Sequence, residues 1–318
     1  MTRRTPARPA GALLAAAVLL ALTACGPTGD DSQRVDPESQ PVYPQLQTYP
    51  DIPVLENLAY GSDPAQVLDG CFPLERGIGA ELSDPRPAIV VIHGGSWQRG
   101  DKSNLNWRAV CQWFASEGFV AVSVNYRLAP ASTFPAQLDD VQAVVSWLRD
   151  ETQVRRFNLD PDRIGAFGGS AGGNLAALLG TAGSGDLVTG TRVAAVAELS
   201  GPADLRAAIP TIDSYHQDFG EVVLQYVGCL DFVDCAAASA ASPVTLVDST
   251  DPPFFVGHSV DEFIPRSQSD GLVETLRDAG VAVDYVTVEG ALHSIAMLDD
   301  DMRERIIAFF ERTLAPIA

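Results

Sequence analysis

The sequence is poor in positive charge. Its 318 residues include 21 lysines and arginines against 41 aspartates and glutamates, which gives a formal net charge of −20. A chain this acidic repels polyanions, and no basic cluster lies beyond the N-terminus. We therefore expect no nucleic-acid partner.

A hydrophobic run long enough to cross a bilayer comfortably is also missing. The apolar stretch over residues 11–21 is short, and arginines precede it, which is the pattern of an export signal over residues 1–24. The Leu-Thr-Ala-Cys sequence that ends at Cys25 resembles the lipobox of bacterial lipoproteins. That resemblance implies lipidation of Cys25 and attachment to the outer, extracytoplasmic face of the bacterial cell membrane. An ordinary secretory signal with a free cysteine is the alternative.

Residues 25–50 contain few aliphatic side chains and many Pro, Asp, Gln, Ser and Thr residues. Such a segment cannot bury enough apolar surface to fold, so we interpret it as a flexible tether. The remaining residues, 51–318, are long enough for one domain with a sizeable core, and 46% of the whole chain is hydrophobic.

Cysteine and histidine are scarce, with five and four residues respectively. No Cys-x-x-Cys pair or histidine-rich run suggests a metal, and no cofactor is predicted. The cysteines other than Cys25 are even in number, which suggests two disulfides in an exported protein. Of the three possible pairings, a local Cys229–Cys235 bridge is the natural one, and it leaves Cys71 with Cys111.

Short apolar strands alternate with amphipathic helices along residues 51–318. The run Ala88–Ile92 is uninterruptedly apolar, as expected of a strand that is buried on both faces of a sheet. This alternation predicts an α/β fold with a doubly wound, mostly parallel sheet. Ligand sites in such sheets form beyond the carboxyl ends of the strands.

The segment Gly168–Gly172, with the sequence Gly-Gly-Ser-Ala-Gly, joins a predicted strand to a predicted helix. Gly-x-Ser-x-Gly between a strand and a helix is the pattern of a nucleophile elbow. The glycines lack the Cβ atom that would clash in so tight a turn, and the helix N-terminus favours negative charge. Ser170 is therefore the candidate nucleophile.

Glycines also follow the predicted strand that ends at Ile92. Gly94, Gly95 and Ser96 come directly after His93, and their backbone N–H groups could approach a ligand there. In an enzyme with a serine nucleophile, an oxyanion hole is built at this place, together with the N–H of Ala171.

Residues 203–245 show no strong strand pattern and contain several aromatic residues. We expect an insertion over the carboxyl end of the sheet. Its aromatic side chains either line a substrate pocket or pack against the body of the domain.

Taken together, these motifs resemble an α/β-hydrolase of the esterase and lipase type. The resemblance covers about residues 50–315 and is closest to hormone-sensitive-lipase-like carboxylesterases with a His-Gly-Gly-x-Trp motif. It implies the α/β-hydrolase fold and a triad in the order Ser170, Asp261 and His293.

The positions of the acid and the base leave alternatives open. Glu262 is the rival to Asp261, because the stretch after the strand that contains His258 is one residue shorter than is usual in the family. His258 and His216 are the weaker rivals to His293 as the base. Arg127 is interpreted as a structural ion-pair residue and not as a catalytic one.

The expected activity is hydrolysis of carboxylic esters with small to medium acyl chains, through an acyl-enzyme on Ser170. The expected partner is a small-molecule ester, and the membrane is contacted through the lipid at Cys25. A peptidase or arylformamidase on the same fold is one alternative. A non-catalytic surface-binding lipoprotein is the other.

Overall fold

The computed structural model describes residues 46–74, 84–209 and 218–316. The predicted signal segment over residues 1–24, Cys25 and most of the predicted tether lie outside these ranges. Within them, no helix combines the length and the apolar character that a bilayer span requires.

A single eight-stranded sheet forms the centre of the described chain. Its strands in chain order are β1 Val54–Ala59, β2 Val67–Cys71, β3 Arg86–Ile92, β4 Val120–Val124, β5 Leu159–Gly169, β6 Ala195–Leu199, β7 Phe254–Ser259 and β8 Val283–Val288. The order across the sheet is β1-β2-β4-β3-β5-β6-β7-β8. β2 is antiparallel to both of its neighbours, and the pairs among β3 to β8 are parallel. This is the expected mostly parallel sheet.

Helices cover both faces of the sheet. They are α1 Leu105–Ser116, α2 Ala136–Arg149, α3 Glu151–Phe157, α4 Ala171–Thr181, α5 Phe219–Val227, α6 Ala236–Ala240, α7 Ser267–Asp278 and α8 Asp300–Thr313. Side chains of α1 and α8 belong to the core on one face, and those of α2, α4 and α7 belong to the core on the other. The central strands β3 and β4 are therefore buried on both sides, which explains why Ala88–Ile92 of β3 is uninterruptedly apolar and why β4 contains one polar residue, Ser123.

The segment between α2 and the nucleophile differs from expectation. The Leu-Asp-Pro-Asp sequence of residues 159–162 is typical of a turn, whereas the structure has the additional helix α3 and a β5 that already begins at Leu159. Asp150 caps α3 by accepting a 2.8 Å hydrogen bond from the backbone N–H of Thr152. Asn158 ends the helix in a left-handed conformation (φ 51°), and Leu159 then pairs with Arg86 of β3. Local capping residues thus produce an element that hydrophobic periodicity does not reveal.

Both expected disulfides are present. Cys71–Cys111 ties β2 to α1, and Cys229–Cys235 closes a short loop after α5. Arg127 forms the expected ion pair, with its Nη2 2.7 Å from Oδ1 of the fully buried Asp140. It therefore anchors the loop after β4.

Candidate active site

Ser170 lies on the sharp turn between β5 and α4. Its φ of 59° is in the left-handed region, which is costly for a residue other than glycine. A Cβ atom on Gly168 would lie 2.1 Å from the carbonyl oxygen of Gly172, and one on Gly172 would lie 2.1 Å from that of Ile92. Only glycine fits at both positions, so the turn has the close backbone packing of a nucleophile elbow.

The residues after β3 form the wall beside the nucleophile. A Cβ on Gly94 would lie 2.8 Å from the carbonyl oxygen of Gly169 and 3.1 Å from Cβ of Ser170. Gly95 and Ser96 both have positive φ angles, of 126° and 56°. This backbone conformation places Gly94, Gly95 and Ser96 in the wall of the cavity that contains Ser170. These are the residues expected to supply oxyanion donors, together with Ala171 at the start of α4.

His93 supports this wall from beneath. Its side chain is buried, its Nδ1 donates a 2.8 Å hydrogen bond to the Gly94 carbonyl, and its ring stacks on Tyr126 at 4.4 Å. The Tyr126 hydroxyl donates to the His93 carbonyl at 3.0 Å. Burial lowers the pKa of His93 to about 4, so the imidazole is neutral at neutral pH. A neutral, stacked ring fixes the loop without adding charge beneath the site.

The segment over residues 203–245 contributes aromatic side chains both to the cavity and to the packing against the body of the domain. Tyr226 of α5 is fully buried and stacks on Trp97, with ring centroids 4.2 Å apart and planes 2° from parallel. Phe219 of the same helix lines the cavity beside Ser170. One aromatic therefore packs against the body of the domain and another borders the cavity. Tyr215 and His216 lie outside the described residues.

His293 follows β8 and lies against a buried carboxylate. Its Nδ1 donates a short hydrogen bond to Oε2 of Glu262, whose side chain is fully buried. Because Nδ1 carries the proton of this bond, Nε2 of the neutral imidazole is the basic nitrogen. Nε2 has no hydrogen-bond partner among the described residues, and His293 lines the same cavity as Ser170. The hydrogen bond to Glu262 therefore selects the tautomer that a general base needs, with Nε2 as the acceptor nitrogen.

The expectation that Asp261 is the acid needs correction. Asp261 is exposed, and its backbone N–H donates a 2.9 Å hydrogen bond to the Gly290 carbonyl. The next residue, Glu262, occupies the buried position against His293. The physical reason is the short turn after β7, which places residue 262 beneath the imidazole, where the extra methylene of glutamate helps its carboxylate to reach Nδ1.

Ser200 is a further residue of the site, and no motif in the sequence indicates it. It is fully buried at the end of β6 with a φ of 58°. Its hydroxyl donates a 2.5 Å hydrogen bond to Oε1 of Glu262 and accepts a 3.0 Å bond from the backbone N–H of Ser294. Ser200 therefore connects Glu262 to the loop that carries His293. A serine in the Ser-Gly-Pro sequence directly after a buried strand is the only signal that the sequence offers.

His258, a rival for the role of base, lies in β7 and is fully buried. Its Nε2 is 2.9 Å from the Ile264 carbonyl, which can only accept, so Nδ1 accepts from the Ser269 hydroxyl at 2.8 Å. Nε2 also lies 3.2 Å from Oε1 of Glu262. Burial lowers the pKa of His258, so this ring is a neutral neighbour of the acid and does not line the cavity.

A second buried carboxyl group lies on β6. Oε2 of Glu198 accepts a 2.7 Å hydrogen bond from the backbone N–H of Gly201, and Oε1 has no partner among the described residues. Burial raises the pKa of Glu198 to about 8, and the charge on nearby Glu262 contributes to the increase. Glu198 is thus mostly protonated at neutral pH, while Glu262 is the carboxylate that receives the hydrogen bonds.

The cavity at this edge of the sheet has a volume of about 690 Å³. The cavity is lined by Ser170, His293 and the glycines after β3, and also by apolar and polar side chains. Those side chains belong to Gln98, Arg99, Asn104, Asn106, Trp107, Phe219, Val222, Phe263 and Ile295. The arrangement combines a strained serine, an imidazole whose Nε2 has no partner in the described part of the chain, and a buried carboxylate, which are the groups that acyl transfer requires.

Comparison with known proteins identifies the family of this chain. Residues 78–276 match the BD-FAE family, which covers more than half of the chain. The chain belongs to the BD-FAE family. The match includes the segment after β3, Ser170 and Glu262, whereas His293 lies beyond its end.

This BD-FAE chain is similar to two curated mycobacterial proteins. It is 32% identical to esterase LipQ of Mycobacterium tuberculosis over 231 residues, which cover 70% of this chain and 53% of LipQ. It is 33% identical to esterase LipC of the same organism over 255 residues, which cover 76% of this chain and 59% of LipC. The BD-FAE chain thus spans little more than half the length of these relatives.

Among solved structures, the BD-FAE chain is similar to esterase B of Lactobacillus rhamnosis. The TM-score is 0.69 at 23% identity, and the alignment covers 85% of this chain and 88% of that structure. The likeness establishes the α/β-hydrolase fold of the described domain.

Proposed function

We propose that this chain is a serine ester hydrolase in which Ser170 is the nucleophile, His293 the general base and Glu262 the acid. One observation carries the proposal. The Nδ1 proton of His293 is bound to a buried carboxylate, Nε2 has no partner among the described residues, and His293 lines the cavity that holds Ser170. The names of the mycobacterial relatives support an ester substrate.

The proposed acyl-transfer mechanism follows from the hydrogen bonds of the site. Nε2 of His293 removes the hydroxyl proton of Ser170 as its oxygen attacks the ester carbonyl, and the imidazolium then protonates the leaving alcohol. Glu262 holds the ring in this tautomer and stabilises its positive charge. Water, activated by the same nitrogen, then cleaves the acyl-enzyme and regenerates Ser170.

The oxyanion of the tetrahedral intermediate would be stabilised by backbone donors. The proposed donors are the backbone N–H groups of Ala171 and of the Gly94–Ser96 wall, because both segments lie next to Ser170. Removing one such donor in other enzymes costs on the order of 3 kcal/mol of transition-state stabilisation. A cavity of about 690 Å³ suits an ester with a small or medium acyl chain.

The proposal is tested by labelling with a fluorophosphonate probe, followed by hydrolysis of a p-nitrophenyl ester series. Wild-type protein should be labelled and should hydrolyse the short and medium esters faster than an arylformamide or a dipeptide amide. Ser170→Ala should lose both labelling and hydrolysis, while Ser96→Ala, which keeps every backbone donor, should retain labelling. Unlabelled wild-type protein with an intact fold would refute the proposal, and preferred cleavage of the amides would replace the ester assignment.

We also propose that the protein is anchored by lipid at Cys25 on the outer face of the bacterial cell membrane. The support is the sequence pattern of residues 1–25, and the two disulfides suit an oxidising compartment. Cys25→Ser should move the protein from the membrane to the soluble fraction and abolish incorporation of labelled palmitate. An unchanged membrane fraction in the variant would refute the anchor.

A further inference from the structure

Arg99 stands at the rim of the candidate active site and is fixed there by its backbone. Its N–H donates a 3.1 Å hydrogen bond to the Gly95 carbonyl. A Cβ on Gly95 would lie only 3.2 Å from Cγ of Arg99, so the stem of the side chain passes directly over the wall beside Ser170. The residue is exposed and lines the same cavity as Ser170 and His293. The backbone and the first part of the Arg99 side chain are thus held against the Gly95 segment of the cavity wall.

The charge around Arg99 contrasts with that of the whole chain. The chain has a formal net charge of −20, yet no described residue that lines the cavity is an aspartate or glutamate. Within the described ranges, the Arg99 guanidinium makes no hydrogen bond or ion pair, whereas that of Arg127 is held 2.7 Å from Asp140. Among the residues that the structure describes, the cavity lining therefore contains a cation with no carboxylate beside it.

One carboxylate on this side of the cavity is already engaged. Gln98 donates to Gln225 at 2.9 Å, and Gln225 donates to Glu221 at 3.1 Å. The side chain of Gln225 thus separates the carboxylate of Glu221 from Gln98, the residue before Arg99. This chain of amides orders the rim without neutralising the guanidinium.

A helix N-terminus adds to the positive potential. The first turn of α1 contains no acidic residue, and Asn104 caps it by accepting a 3.0 Å bond from the Asn106 N–H. Asn104, Asn106 and Trp107 of this turn line the cavity. The partial positive charge of the helix end therefore acts in the same direction as Arg99.

Apolar side chains line other parts of the cavity. They are those of Trp107, Phe219, Val222, Phe263 and Ile295. The site is thus amphipathic, with a cation at the rim and an aromatic and aliphatic surface beside it. A ligand that fits both features has an apolar body and an anionic group.

We propose that this site prefers esters that carry a carboxylate, with Arg99 as the specificity-determining residue. The inference rests on the proposed ester hydrolase function. The guanidinium binds the substrate carboxylate by charge-assisted, bidentate hydrogen bonds, while the apolar part of the substrate packs against the aromatic surface. Such a contact holds in both ground and transition states, so it lowers KM for the anionic ester more than it raises kcat.

Two matched substrate pairs test this preference, one with the charge on the alcohol side and one on the acyl side. The first is 3-acetoxybenzoate against 3-acetoxybenzamide, and the second is the p-nitrophenyl monoester of suberic acid against its methyl ester. We expect at least one pair to show a ratio of kcat/KM, anionic over neutral, of about ten or more at low salt. This ratio should fall as salt is added.

Variants assign the preference to Arg99. Arg99→Gln should bring the ratio to about one, and Arg99→Lys should retain part of it, because an ammonium keeps the charge but not the bidentate geometry. The matched control is Arg305→Gln, since Arg305 is an exposed arginine on α8 that does not line the cavity. This control should keep the wild-type ratio.

The outcomes separate the two proposals. If wild-type protein hydrolyses the neutral esters but gives ratios of one or less in both pairs, the carboxylate preference is refuted and the ester hydrolase stands. A ratio that Arg99→Gln leaves unchanged refutes the role of Arg99. If wild-type protein hydrolyses no member of either pair, the proposed function fails and this inference fails with it.

Discussion

The hydroxyl of Ser200 donates a 2.5 Å hydrogen bond to Oε1 of Glu262, and the other oxygen of that carboxylate accepts from His293. The same hydroxyl accepts from the backbone N–H of Ser294 at 3.0 Å. One buried serine at the end of β6 therefore holds both Glu262, the proposed acid, and the loop that carries His293, the proposed base. Ser200 touches neither the cavity nor the reacting groups, so it is a positioning residue.

Ser200→Ala should reduce kcat by about 10- to 100-fold, because the freed carboxylate no longer orients the imidazole at the correct angle. KM should change little, since Ser200 does not line the cavity. The measurement is steady-state hydrolysis of a p-nitrophenyl ester by the purified variant.

The matched control is Ser242→Ala. Ser242 is also fully buried, and its hydroxyl makes two 2.7 Å hydrogen bonds, to the Leu205 N–H and the Ala238 carbonyl. This variant should lose stability but keep kcat. Equal kcat values for both variants would show that Ser200 contributes to folding alone.

Gly94→Ala should impair catalysis through crowding of the nucleophile. The added Cβ would lie 2.8 Å from the Gly169 carbonyl oxygen and 3.1 Å from Cβ of Ser170, so the backbone beside the proposed oxyanion site must shift. We expect kcat to fall by about tenfold or more. Gly271→Ala on α7 is the control, because its Cβ would meet no atom within 4 Å. A Gly94→Ala variant as active as this control would contradict the tight packing around Ser170.

Glu198 should make the folded state less stable as pH rises. Burial raises its pKa from 4.5 to about 8, so between these values the folded chain keeps a proton that the unfolded chain releases. The unfolded state then binds fewer protons, and the free energy of unfolding decreases from pH 4.5 to pH 8. Below pH 4.5 both states are protonated, so the titration of Glu198 no longer changes the stability there.

Glu198→Gln removes the titrating group and keeps a carbonyl that can accept from the Gly201 N–H. Chemical denaturation between pH 4.5 and pH 8 should therefore give a flatter profile for the variant than for wild type, with the largest gain in stability near pH 8. The exposed Glu304→Gln variant serves as the control and should follow wild type. Parallel profiles for Glu198→Gln and wild type would show that Glu198 is ionised in the folded protein.

The sequence predicts those parts of the fold that depend on burial and on tight backbone turns. A central parallel strand must be apolar because both of its faces are covered, and the apolar run Ala88–Ile92 accordingly lies in β3 and is buried throughout. Gly168 and Gly172 indicate the elbow because no other residue fits against the facing carbonyls. In both cases the structure permits only one kind of residue, apolar in the strand and glycine in the turn. The feature can therefore be predicted from a single sequence.

Prediction was less successful where tertiary contacts select between neighbouring residues. Asp261 and Glu262 are both carboxylates in one turn, and only the packing beneath His293 distinguishes the exposed residue from the buried one. Ser200 is one serine among many in the sequence, and its role depends on hydrogen bonds to residues 62 and 94 positions away. Such long-range pairings leave no local pattern.

The central claim is that Glu262, and not Asp261, is the acid. A comparison of two variants tests it most directly. We would measure kcat/KM for a p-nitrophenyl ester with Glu262→Gln beside Asp261→Asn, after verifying that both variants fold. The structure predicts a loss on the order of 10³- to 10⁴-fold for Glu262→Gln, because the glutamine no longer stabilises the correct tautomer or the imidazolium. Asp261→Asn should stay within about threefold of wild type, as expected for an exposed side chain outside the cavity. A large loss in Asp261→Asn together with a nearly wild-type Glu262→Gln would contradict the account.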